Sequence, residues 1–167
     1  CAQDQMDKVI WQFRLDGDSP FCPALGADGT VYCTTGAGHY LQAVGPEGVG
    51  RWWYSTPGPT TGPSVGLEGT VYIVSQGQLH AISGHAGQLL WAFGTRLGSQ
   101  PAVALDGTIY VSNGYTATSE PAGFATLYAV ANDGTLRWAF THDEHLCLCR
   151  TGRPGCDPES GSMTWSP

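Results

Sequence analysis

Charge is what this 167-residue sequence has least of: Asp, Glu, Lys and Arg together make up 13% of it, and only seven residues are Lys or Arg. With fourteen acidic residues the net charge is −7, so no basic stripe exists to follow a phosphate backbone, and nucleic acid is not expected as a partner. No apolar run approaches the roughly 20 residues that a membrane-spanning helix needs. There is no Cys-x-x-Cys-His for covalent haem and no adjacent pair of cysteines. No glycine-rich phosphate loop opens a helix either; the glycines sit in turn sequences. What the chain does have is 24 Gly, 11 Pro, six Trp and seven Tyr, which suits short strands joined by tight turns and does not suit a helical bundle or a disordered chain.

One segment is written three times. It reads Pro23-Ala-Leu-Gly-Ala-Asp28-Gly29-Thr30-Val31-Tyr32, then Pro63 to Tyr72 with Glu68-Gly69-Thr70, then Pro101 to Tyr110 with Asp106-Gly107-Thr108, at steps of 40 and 38 residues. A period of this size marks a supersecondary unit that buries its apolar face only by stacking on its neighbours. Each copy continues with Leu41 to Val44 and Arg51 to Tyr54, with Leu79 to Ile82 and Leu90 to Phe93, or with Leu127 to Val130 and Arg137 to Phe140. Each unit therefore reads as four short antiparallel strands. Gly29, Gly69 and Gly107 serve the first hairpin, and Gly48, Gly87 and Gly134 the turn into the fourth strand. The pairs Trp52/Tyr54, Trp91/Phe93 and Trp138/Phe140 fall on one face of that strand. An orphan copy, Ile10-Trp11-Gln12-Phe13, precedes the first unit.

Asp-Gly-Thr-[Val/Ile]-Tyr, then Gly77-Gln78-Leu79-His80-Ala81-Ile82, then Gly87-Gln-Leu-Leu-Trp91 resembles the blade repeat of the PQQ-type propellers over about residues 8–140. That family includes quinoprotein alcohol dehydrogenases and non-enzymatic BamB-like outer-membrane assembly lipoproteins. The resemblance implies that Ala81 to Trp91 docks one blade on the next, although Ser83 and Ala86 stand at two positions where the family pattern has Asp and Thr. The expected fold is an all-β, propeller-type array. Residues 1–7 form an N-terminal anchor or linker and 8–15 an outer strand. Blades follow at 20–55, 60–94 and 98–140, and a Cys-rich tail at 141–167. Three blades fall short of the four to eight that close a ring, so the array is expected to be incomplete or completed by a partner.

The cysteines point to an oxidising compartment. Cys1 is a lipidation candidate, since a processed bacterial lipoprotein begins this way; the other readings are a plain chain end or a disulfide. Cys22 and Cys33 come opposite one another if Leu25 faces Thr30 across a four-residue loop, which predicts a disulfide stapling the first blade. In the tail, His142, His145, Cys147, Cys149 and Cys156 are ligand types that zinc accepts, but Cys-x-Cys with six residues before the next Cys is not a common zinc spacing. Disulfides are favoured over metal, with Cys156 the natural mate of Cys149. The third unit also carries an insertion between its second and third strands, in which Tyr115, Glu120 and Phe124 are candidate partner contacts; a tolerated insertion is the plainer reading.

As a quinoprotein the chain lacks the paired cysteines that the resemblance would require, and Asp28, Glu68 and Asp106 sit at turns that already explain them. No catalysis, cofactor or metal is expected. The expected role is an exported, periplasmic or cell-surface accessory or scaffold subunit, touching a membrane only through a lipid on Cys1 and bound to other subunits or to a second copy of itself. The alternatives are a fragment of a quinoprotein-like oxidoreductase or electron-transfer partner, and a small-ligand or glycan-binding module.

Overall fold

The computed structural model describes residues 9–15, 22–35, 39–94, 96–113 and 126–141. These form three four-stranded antiparallel sheets, each a meander in chain order. Blade 1 contains β1 (Ala24–Leu25), β2 (Val31–Thr35), β3 (Tyr40–Val44) and β4 (Gly50–Ser55). Blade 2 contains β5 (Ser64–Val65), β6 (Thr70–Ser75), β7 (Gln78–Ser83) and β8 (Leu89–Phe93). Blade 3 contains β9 (Ala102–Val103), β10 (Ile109–Ser112), β11 (Thr126–Val130) and β12 (Leu136–Thr141). No helix occurs among the described residues.

The turns explain the repeat. In blade 1 the Gly26 N–H donates to the Thr30 carbonyl at 2.8 Å and Gly29 N–H to the Gly26 carbonyl at 3.0 Å, with Gly29 at φ 79°. The Asp28 carboxylate accepts from the Thr30 amide at 3.0 Å and the Thr30 hydroxyl at 2.7 Å, and Asp106 does the same for Thr108. The Asp-Gly-Thr triplet is thus a turn that ties itself to the strand it starts. At the other turn of the same edge, each third strand shifts register at one equivalent place: Ala43/Val44, Ala81/Ile82 and Ala129/Val130.

The blades stack face to face, with the short strand β5 lying between β1 and β9. The core lies between blades, not within them. Tyr32, Leu41 and Ala43 of blade 1 pack against Val71, Ile73 and Ile82 of blade 2. Tyr72, Leu79 and Ala81 on the other face of blade 2 pack against Ile109, Val111 and Val130 of blade 3. Burying a leucine fully contributes about 1.5–3 kcal/mol, so each blade is held mainly by its neighbour.

Two expectations need correction. Residues 9–15 join no sheet among the described residues. The first hairpin pairs Leu25 with Val31, not Thr30, because the loop holds five residues. Continuing that register sets Cys33 opposite Pro23 and Cys22 opposite Thr34, and a slip of one residue puts the two cysteines on opposite faces. Both are free, Cys22 exposed and Cys33 half-buried.

Candidate functional site

Four tryptophans occupy equivalent positions, and three of them lie on the turn of the following blade. Trp11 Nε1–H donates to the Pro46 carbonyl at 2.9 Å, Trp52 to Gly84 at 2.8 Å, and Trp91 to Asn132 at 2.9 Å. Each accepting carbonyl stands two residues after the last residue of its third strand's apolar run, Val44, Ile82 or Val130. Under each indole lies a glycine. A Cβ at Gly48, Gly87 or Gly134 would come within 2.6, 2.7 and 2.9 Å of the ring of Trp11, Trp52 and Trp91. The blade 2 turn is one residue longer than the others, and the extra residue falls between the carbonyl and the glycine, so both halves of the socket are kept.

A tyrosine from the second strand completes the docks of Trp52 and Trp91. Tyr32 and Trp52 meet at 5.8 Å and 41°, Tyr72 and Trp91 at 5.9 Å and 46°. A second aromatic contact crosses each junction further along the strand. Tyr54 lies 6.2 Å from His80, and its hydroxyl is 3.1 Å from His80 Nδ1; Phe93 lies 6.0 Å from Tyr128. His80 is buried, its Nε2 has no partner, and burial lowers its pKa.

Blade 3 carries the same set with nothing described beyond it. Tyr110 and Trp138 are already paired at 5.9 Å and 49°. Yet Leu127 is 39% exposed where Leu41 and Leu79 are fully buried, Trp138 is 45% exposed and Phe140 64%. Together they make an apolar face with the shape of a junction and no blade on it.

Beside the docks runs a polar clasp. Arg51 Nη1 donates to Asp28 at 2.8 Å and to the Thr30 hydroxyl, and Arg137 makes the same contacts to Asp106 and Thr108 at 3.1 and 2.7 Å. The Thr30 hydroxyl and amide, with Arg51, hold the Asp28 carboxyl down at about 2. Blade 2 has Leu90 in place of the arginine, and its Glu68 accepts instead from Asn132 of blade 3 at 3.3 Å. All three acids are thus engaged in structure at one edge. Among the described residues no three His, Cys, Asp or Glu side chains gather as a metal site.

Cys1, Tyr115, Glu120, Phe124, Cys149 and Cys156, with His142, His145 and Cys147, lie outside the described residues. One feature that the sequence reading passed over is the exposed pair Trp53 and Tyr40, at 5.6 Å and 90°. Its signal was present: the residue after the docking tryptophan is Ala92 in blade 2 and Ala139 in blade 3.

Stacked four-stranded blades, locked by a tryptophan on the next blade's turn, define an incomplete β-propeller of the PQQ-repeat class. The family model described as outer membrane protein assembly factor BamB matches residues 2–111, and the chain belongs to that family. Among solved structures it is similar to BamB from Moraxella catarrhalis, with TM-score 0.57 and 15% identity over 74% of this chain and 36% of that one. It is also similar to the quinohemoprotein alcohol dehydrogenase ADHIIG from Pseudomonas putida HK5, with TM-score 0.55 and 21% identity over 71% of this chain and 20% of that one. A catalytically inactive virginiamycin B lyase from Staphylococcus aureus gives TM-score 0.59 and 16% identity over 78% of this chain and 44% of that one. At these identities the likeness shows the fold alone. The chain spans half or less of the length of these structures. No curated protein sequence matches it.

Proposed function

We propose that the chain is a non-catalytic, exported accessory or scaffold subunit of an extracytoplasmic assembly, and that the open face of blade 3 is where it is completed. One observation carries this reading. Leu127, Trp138 and Phe140 repeat the residues that seal the two internal junctions, yet stand exposed. Leaving such a face in water costs the hydrophobic stabilisation that the other two junctions gain, and it invites association. What fits is a partner surface of β-branched residues with a glycine turn offering a free carbonyl to Trp138. Membership of a family described by outer membrane protein assembly supports an extracytoplasmic place. The six cysteines agree with it.

The test is a photo-crosslinking amino acid at position 138, with position 91 as the internal control. Crosslinks from 138 to a second polypeptide in the cell envelope are expected, and only intramolecular ones from 91. Intramolecular products alone at 138, with a monomeric mass in solution, would overturn the proposal. Added pyrroloquinoline quinone and calcium should leave the absorbance spectrum unchanged. Quinone-dependent alcohol oxidation would end the non-catalytic reading.

A further inference from the structure

Blade 1 departs from the repeat in one patch, on the face that in blades 2 and 3 meets the blade before it. Trp53 replaces the alanine of the other blades, Tyr40 stands where they have Gln78 and Thr126, and Gln42 where they have His80 and Tyr128. Trp53 and Gln42 are direct partners across β3 and β4, and the Tyr40 ring lies perpendicular to the indole at 5.6 Å. With Thr35 these residues line a recess of about 320 Å³. Trp53 is 65% exposed, so the indole is not there to fill a core. A perpendicular pair makes a corner and not a stack, which leaves aromatic face open to the recess.

The polar groups of the recess are unspent. Thr35 is 3% exposed and its Oγ1 has no hydrogen-bond partner. The Gln42 amide and the Tyr40 hydroxyl make no hydrogen bond to another described residue. Among the described residues no charged side chain lines the recess. Arg51, two residues before Trp53 on the same strand, is held by Asp28 at 2.8 Å and Glu47 at 3.9 Å. The Thr35 oxygen is closed off from the recess, so the groups that a ligand would meet are the Gln42 amide and the Tyr40 hydroxyl, neutral donors and acceptors beside an apolar face.

We propose that this recess binds a neutral sugar, a pyranose of gluco configuration. With every hydroxyl equatorial, such a ring presents axial C–H groups on its faces, an apolar plane for the indole of Trp53. Its rim of hydroxyls can both donate to and accept from Gln42 and Tyr40. The volume sits at the small end of ligand pockets, room for one or two sugar units. This site is independent of the blade 3 face and of the subunit reading.

The experiment titrates the intact chain with cellotriose and follows the tryptophan indole N–H signals by NMR. The expected result is a saturable shift of the Trp53 signal with a millimolar dissociation constant. Trp53→Ala installs the residue that blades 2 and 3 already carry, so the fold is kept and saturable binding is lost. Gln42→Ala is expected to weaken binding by about threefold to tenfold, while Trp138→Ala leaves it unchanged. Absence of a saturable shift up to ~50 mM, or equal affinity in the Trp53→Ala chain, would overturn the proposal.

Discussion

Trp91 and Trp138 end equivalent strands of neighbouring blades, each angled against a tyrosine at 5.9 Å. Trp91 reaches the Asn132 carbonyl and lies on Gly134; Trp138 has the same posture and no described turn to lie on. The aromatic pair is therefore a property of the blade, and the dock is a property of the next one. At the opposite end Trp11 already fills the Gly48 socket of blade 1. A second copy approaching head to tail would find that socket taken. Whatever completes blade 3 must bring its own glycine turn.

The largest effect should come from removing the two indoles in turn. Trp91→Ala loses the ring, its hydrogen bond and its packing on Gly134, and is expected to cost about 3 kcal/mol in urea unfolding. Trp138→Ala should cost under ~1 kcal/mol, because its indole buries less and bonds to nothing described. Equal costs would break the comparison, since Trp138 would then be docked in solution.

A pair of glycines separates the socket from the turn. Gly87 and Gly69 both have positive φ, 67° and 81°, so an alanine at either pays the left-handed strain of about 1–2 kcal/mol. Around Gly69 a Cβ meets nothing within 4 Å, whereas at Gly87 it comes within 2.7 Å of the Trp52 ring. Gly87→Ala is thus expected to cost about 1–3 kcal/mol more than Gly69→Ala. The excess should vanish in a Trp52→Ala background, as a double-mutant cycle would show.

This contrast also marks what could be read before the fold was known. The blades, their turns and the unfinished count follow from a repeat whose glycines and apolar runs recur at fixed offsets. Register at the first strand does not, because β1 holds only two residues and the loop length is set by the Gly26–Thr30 hydrogen bond. That one-residue difference separates Cys22 from Cys33. The acceptors of the docking tryptophans were equally hidden, since any residue supplies a carbonyl and Pro46, Gly84 and Asn132 share no side-chain feature. Trp53 was legible as a departure from the repeat, but the regularity of the other aromatics drew it into the docking pattern.

The two sealed junctions differ in one titratable group, which gives a third test. His80 faces Tyr54 in the first junction, where the second has Tyr128 against Phe93. Burial lowers the pKa of His80, so the folded state favours the neutral ring. Its contribution is therefore complete above the ordinary histidine pKa of about 6.5 and is lost as pH falls below that value toward the lowered one. Unfolding free energy measured from pH 7.5 to pH 5 should fall more steeply in the native chain than in His80→Gln, which places there the residue of blade 1. Matching slopes would mean that His80 protonates as readily in the folded chain as in the unfolded one, through a partner it finds on protonation.

The smallest effect concerns a feature that the two end blades share and the middle one lacks. Arg51 and Arg137 clasp Asp28 and Asp106, while blade 2 has Leu90. An ion pair this exposed is screened by water and salt. At Asp28 the larger influence is the Thr30 hydroxyl and amide, which favour the ionised carboxylate before the arginine adds to it. The sign follows: with its pKa lowered to about 2, Asp28 supports the fold above the ordinary carboxylate range and loses that support as pH falls toward 2. Carboxyl NMR titration should show Thr30→Val raising the Asp28 pKa more than Arg51→Leu does. The reverse order would make the arginine the principal tie. The hairpins of blades 1 and 3 would then hang on their outer strands in a way that the middle blade, with leucine at that position, cannot.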